Sequence, residues 1–270
     1  MQTPPPGATS AAGLRGDRLS KKEKAGHLRC LAFSFTNPSG TVADMESGKL
    51  SIVATPIGNL EDITHRAIRT LSECDYVLCE DTRVTGKLLH HYNIDATMKR
   101  YDAHASEQVH AHIIEDLLAG QHVALVSDAG TPGVSDPGVL LVQQARAAEV
   151  LIEAIPGASS VTAALSIAGI TGNQFTFLGF VPQKKGRETF FKTITQHAQP
   201  VVCLESTHRI TKALTQLTEQ QPDAIVYLGR ELTKLHEELL VGSAAELLEL
   251  LETTPVKQKG EFVMIVDSRS

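Results

Sequence analysis

His122-Val-Ala-Leu-Val-Ser-Asp-Ala-Gly-Thr-Pro-Gly-Val-Ser-Asp-Pro-Gly138 is the stretch on which the fold turns. It begins as an apolar run the length of a buried strand. It passes through a polar, glycine-containing turn. It then reaches Pro137, where Leu140, Leu141 and Ala145 fall at helical spacing. A buried strand that feeds a helix through a short polar turn is the unit of a parallel sheet covered by helices.

The same unit recurs on both sides. Strands are predicted over 50–55, 76–80, 98–101, 122–127 and 150–155. Helices are predicted after Asp62 and Thr64 (Ala67, Ile68, Leu71), over 82–91, over 106–119, from Pro137, and over 158–168. Thr64 is of a type that caps a helix N-terminus, and Gly120 of the type that closes one. This rhythm argues for a parallel or mostly parallel α/β sheet. After Gly169-Ile-Thr-Gly172, which reads as a linker, the rhythm changes. Strands are expected over 174–179, 201–205, 224–229, 236–241 and 262–266, with helices over 186–195, 209–217 and 244–251. The last two strands are expected to pair antiparallel. The expected organisation is an extension over 1–48, one α/β domain over 49–169 and a second over 173–268.

The first 48 residues have another texture. They open with Pro4-Pro-Pro6 and carry six basic against four acidic residues, a net +2 that leaves −8 for the rest of a chain whose total is −6. Without hydrophobic periodicity the segment is expected to be disordered. Met45, just ahead of the first strand, is read as the start of the native protein, with a transit peptide and an RNA-binding arm as alternatives. Mass spectrometry of the native N-terminus distinguishes them.

With 42% hydrophobic and 21% charged residues the chain has the composition of a folded globular protein. No apolar run approaches the ~20 residues of a membrane helix. The four cysteines make no C-x-x-C pair and are read as buried, reduced thiols. A net charge of −6 disfavours a generally basic nucleic-acid binder, and the absence of Trp disfavours a platform of many aromatics. None of the 20 glycines is spaced as G-x-G, which excludes the dinucleotide fingerprint, and G-x-x-x-x-G-K-[S/T] is absent too. No histidine–cysteine grouping has zinc spacing, so no metal site is expected.

Polar turns stand instead behind the predicted strands: Thr55-Pro-Ile-Gly-Asn59, Glu80-Asp-Thr-Arg83, Ser127-Asp-Ala-Gly-Thr-Pro-Gly133, Pro156-Gly-Ala-Ser-Ser160 and Glu205-Ser-Thr-His-Arg209. Open α/β sheets bind ligands at the carboxyl ends of their strands. Turn chemistry explains any one of these turns; five together point to a ligand cleft.

Those turns, with Asp136-Pro-Gly138, Arg230-Glu-Leu-Thr-Lys234 and Lys259-Gly-Glu261, stand in one order over about 50–267. Together they resemble the family of bacterial 16S ribosomal RNA cytidine 2′-O-ribose methyltransferases, in the tetrapyrrole methylase superfamily. The resemblance implies a tetrapyrrole-methylase-like α/β fold of two domains, with S-adenosylmethionine (SAM) folded up in the cleft between them. It also implies a homodimer in the cytoplasm that acts on 16S rRNA within the small ribosomal subunit, near its decoding region. By motif match, Pro56 and Gly58 should lie beside the reacting methyl group. Asp128, Ala129 and Gly130 should meet the methionine and ribose parts of SAM. Ser159 and Ser160 should sit near its carboxylate or sulfonium, and Leu204 and Gly229 near the adenine.

A ribose 2′-hydroxyl is a poorly acidic nucleophile, so a base within reach would help by ~10²–10⁴-fold. Glu80, Asp81, Glu205, His208 and Glu231 are the candidates. Glu205 and Glu80 rank first because each ends a predicted strand. Arg209, with Arg83, Arg230 and Lys234, is expected to hold phosphates or lower the alcohol's pKa. The competing reading of these matched charges is an ion-pair network. Lys184, Lys185 and Arg187 form the densest basic stretch outside the extension and are expected to dock RNA. Two rival functions are C-methylation of a tetrapyrrole on the same fold and a non-catalytic role in ribosome assembly. Labelled SAM offered with small subunits and with uroporphyrinogen separates them.

Overall fold

Two sheets, each with its own pattern of side-chain alternation, organise the computed structural model, which describes residues 48–269. The extension read over 1–48 lies outside the described residues but for Gly48, as does Cys30. Gly48 is buried, and a Cβ there would come within 2.3 Å of the carbonyl oxygens of Leu117 and Gln121, so the folded unit already includes it.

The first sheet contains β1 (Lys49–Val53), β2 (Tyr76–Cys79), β3 (Met98–Arg100), β4 (His122–Val126) and β5 (Leu151–Ile155), in the order β3-β2-β4-β1-β5. Every pairing is parallel, as the βα rhythm predicts. Alternation along a strand divides the side chains between two faces. Leu50, Val123 and Leu125 face a core closed by α3 (Glu107–Leu118) and α4 (Val139–Ala147). Val53, Ala124 and Val126 face one closed by α1 (His65–Glu73) and α2 (Thr82–His91). The α1 N-terminus is fixed by Thr64, whose hydroxyl accepts the Ala67 N–H.

The second sheet contains β6 (Thr176–Phe180), β7 (Val201–Ser206), β8 (Ile225–Arg230), β9 (Glu238–Ser243) and β10 (Glu261–Asp267), in the order β6-β7-β10-β8-β9. The expectation that the last two strands pair with each other is corrected. β10 enters between β7 and β8, antiparallel to both, and β9 pairs with β8. Phe262, Met264 and Val266 all lie below 3% exposure, and a run this buried belongs at a sheet centre. Its alternate face packs under α6 (Arg187–Ile194), α7 (Ile210–Gln220) and α8 (Ala244–Thr253), whose start carries a reciprocal Ser243–Glu246 capping box.

α5 (Ser160–Ala168) departs from its place in the chain. It follows the first sheet's last strand, yet Val161, Ala164 and Ala168 pack against Val202, Val263 and Ile265 of the second sheet. Ile57, from the turn after β1, joins the same cluster, so it closes the two lobes on each other. Cys74, Cys79 and Cys203 are free thiols; burial raises all three, Cys74 to about 11. Among the described residues no helix is long and apolar enough to cross a membrane.

Candidate active site

The carboxyl ends of β1, β2, β4 and β5 open on one side of the first sheet, toward the second. Thr55 and Gly130 exchange two main-chain hydrogen bonds of 2.9 and 3.1 Å, folding the turn after β4 back onto the end of β1. The Thr55 hydroxyl adds a bond to the Ser127 carbonyl at 3.0 Å. Gly130 needs its glycine: its φ is +82°, and a Cβ would press on Ile57 at 3.4 Å.

That turn, with the N-terminus of α5 and the facing edge of the second sheet, encloses a cavity of about 370 Å³. Asp128, Ala129, Gly130, Ser159, Ser160 and Leu204, predicted to touch a cofactor, all line it. Pro56 lines instead an adjoining depression of about 230 Å³ that shares Asp128. Gly58 and Gly229 do not line the cavity. A Cβ on Gly229 would meet the Leu232 side chain at 3.3 Å, so this glycine makes room for a wall residue. A Cβ on Gly58 would lie 2.5 Å from Lys234 Cγ and 3.0 Å from the Leu232 carbonyl oxygen. Gly58 thus receives the loop after β8, and the Asn59 N–H donates to the Thr233 hydroxyl at 3.1 Å. That loop holds Glu231 and Thr233 at φ +49° and +65°, unusual for side chains with a Cβ.

One wall of the cavity is acidic. Glu80, Asp128 and Asp136 all line it. Asp128 accepts the Asp81 N–H at 3.2 Å. Burial, opposed by a hydrogen bond from Ser127 and assisted by the Asp128 charge, raises Asp136 to about 6. Burial and the charges of Asp136 and Asp128 also raise Glu80. Asp136 opens the Asp136-Pro-Gly138 motif, where a carboxylate before Pro-Gly has the signature of turn chemistry, and its place in the cavity wall emerges only in the fold. The opposite wall is apolar, with Ile57, Val161, Phe177, Leu232 and Val263. Of this wall only Leu204 was expected: alternation along β6 and β10 does not reveal which face meets a ligand, and Ile57, Val161 and Leu232 are brought in from a turn, a helix and a loop.

Glu205 borders the cavity, but its side chain has no exposed surface. Its Oε2 accepts from Arg187 Nη1 at 3.0 Å, and its Oε1 from Arg209 Nη2 and the Ser206 N–H at 2.8 Å each. Both carboxylate oxygens are thus held by protein donors, which leaves the base role expected of Glu205 without an exposed oxygen. Arg209, expected to act on substrate, is spent on Glu205, the Ser206 hydroxyl and the Val181 carbonyl.

The basic residues expected to meet RNA divide by burial. Lys184 and Lys185 are exposed, as is Arg83, which pairs with Asp81 at the start of α2. Arg187 is 4% exposed and Arg230 7%, so neither presents charge to a phosphate, a correction for both. Arg230 donates to the carbonyls of Lys259, His236 and Val256 and to Glu238. Lys234 keeps 29% of its side-chain surface and bridges Glu231 at 3.0 Å and Glu261 at 2.9 Å beside Gly58. That network also holds Glu231, one of the candidate bases, in an ion pair with Lys234.

Residues 49–248 match the family described as Tetrapyrrole (Corrin/Porphyrin) Methylases. Among curated relatives, "Ribosomal RNA small subunit methyltransferase I" of Streptococcus pyogenes serotype M6 is 42% identical over 221 residues, 82% of this chain and 76% of that protein. The protein so named from Neisseria meningitidis serogroup B is 42% identical over 81% of this chain and 76% of its own length. That from Thermotoga maritima is 38% identical over 82% of this chain and 99% of its own length. Solved structures of similar fold include diphthine synthase, with TM-score 0.66, 17% identity and coverage of 82% of this chain and 90% of that one. Cobalt precorrin-4 methyltransferase follows with TM-score 0.60, 18% identity and coverage of 80% and 94%. The chain belongs to the tetrapyrrole methylase family of methyltransferases, and within it to the group containing these ribosomal RNA small subunit methyltransferase I proteins.

Proposed function

We propose that the protein transfers a methyl group from SAM to the ribose 2′-hydroxyl of a cytidine in the 16S rRNA of the small ribosomal subunit. The observation that carries this reading is the amphipathic cleft at the strand ends, in a chain whose relatives are named for small-subunit rRNA methylation. The cleft suits SAM. Its volume lies in the range of small-molecule sites, roughly 300–1,000 Å³. Leu204, Leu232 and Val263 offer an apolar surface to an adenine, and Glu80, Asp128 and Asp136 suit a sulfonium, an ammonium or ribose hydroxyls. The N-terminus of α5, at Ser159 and Ser160, suits a carboxylate.

SAM supplies an electrophilic methyl group on a positively charged sulfur. The chain's own task is alignment and proton removal. Glu80 and Asp136 are the carboxylates that both face the cavity and hold a proton more tightly than usual. Either would accept the 2′-hydroxyl proton on a carboxylate oxygen, leaving the methyl transfer itself to the chemistry of bound SAM. The proposal keeps two α/β domains divided at 169–172, a homodimer and a cytoplasmic address.

Labelled SAM, offered with small subunits from a strain lacking the enzyme and separately with uroporphyrinogen, tests the reading. Label on one cytidine ribose of 16S rRNA is the expected result. Label on uroporphyrinogen alone, or on neither, overturns it.

A further inference from the structure

β6 carries Phe177 and Phe180, three residues apart. In a regular strand such a pair points to opposite faces. Here both border the cavity. The cause is a shift of register against β7: Phe177 stands opposite Val202 and Phe180 opposite Leu204, so β6 has one residue more than its neighbour over this interval. The extra residue is absorbed around Gly179, whose φ is +70° and whose Cβ, if present, would sit 3.2 Å from Ser135 Oγ on the facing lobe. A bulge of this kind re-aims the side chain that follows it.

The side chain so re-aimed is 53% exposed although it belongs to the cavity lining, which places Phe180 at the mouth. Four and five residues further on, Lys184 and Lys185 are exposed and form no ion pair among the described residues. An open aromatic ring followed within five residues by unpaired cations supplies the two parts with which a protein can hold a nucleotide without reading sequence, a partner for the base face and one for the phosphate.

We propose that Phe180 is the platform on which the base of the target nucleotide stacks while its ribose reaches into the cavity. This rests on the reading of RNA as substrate and makes Phe180 a positioning residue for that RNA. Its role is distinct from holding the methyl donor.

The test compares full-length wild type with Phe180→Ala, Phe180→Leu and Phe180→Tyr. Two quantities are read: SAM affinity by calorimetry, and kcat and KM for transfer of labelled methyl to small subunits lacking the modification. Loss of one base stack corresponds to a roughly 5- to 150-fold fall in kcat/KM. That fall is expected for the Ala and Leu variants, with the Tyr variant near wild type and SAM affinity unchanged in all. A Leu variant as active as wild type, an Ala variant without loss, or SAM binding that weakens in step with the rate overturns the assignment. Wild type that transfers no label to small subunits overturns the RNA reading itself, and this inference with it.

Discussion

Arg187 Nη1 donates to Glu205 Oε2 across 3.0 Å at a place where the two side chains retain 5% and 0% of their surface. Arg209 closes the other side of the carboxylate at 2.8 Å. Breaking one member of such a buried group leaves uncompensated charge and costs about 3–5 kcal/mol. Glu205→Gln should therefore lower the urea midpoint strongly. The single-turnover rate, corrected for the folded fraction, should stay near that of wild type. A stable variant that has lost its chemistry would return Glu205 to the list of bases.

Asp136 supplies a pH signature. Its ordinary value of 3.8 is raised to about 6 in the folded protein. As a base it works only when ionised, so the rate should rise with pH up to about 6 and then level off. In Asp136→Asn that limb should flatten and the plateau fall; the pH–rate profile checks both.

Stability gives an independent check with its own sign. A carboxyl that binds its proton more tightly when folded adds stability at low pH and loses it as pH rises through the folded value. The stability of Asp136→Asn relative to wild type should therefore increase between about pH 4 and pH 7. Urea unfolding of both proteins across that interval measures it.

Gly58 tests the contact between the lobes. Forcing a methyl group against Lys234 Cγ at 2.5 Å and the Leu232 carbonyl at 3.0 Å requires the loop after β8 to move. Gly58→Ala is expected to cost about 1–3 kcal/mol. It should also weaken SAM binding, because Leu232 is a cavity wall. Calorimetric SAM affinity that matches wild type would leave Gly58 without influence on the site.

Lys184 and Lys185 test RNA docking. If each neutralises one phosphate, replacing both with Glu should reduce the salt slope of RNA binding by roughly 2. Filter binding at several ionic strengths is the measurement. The same exchange at Arg187 should act through folding instead, since that guanidinium is buried.

Periodic features are legible along the chain: the parallel first sheet, the strand-and-helix order, and the turns at 127–133 and 156–160 that line the cavity. These are local properties, because a side chain's alternation and a turn's residue types are set within a few positions. Which polar groups are available depends instead on the packed fold. A carboxylate at a strand end looks alike in sequence whether it meets water, as Asp128 does, or two guanidiniums, as Glu205 does. Arg187, Arg230 and Lys234 read as surface charge because their partners lie elsewhere in the chain, from Glu205 to Glu261. The crossing of α5 to the second sheet, the entry of β10 between β7 and β8 and the turning of Phe180 into the cavity mouth have the same origin. Each depends on what packs against a segment from a distance, and no spacing along the chain records it.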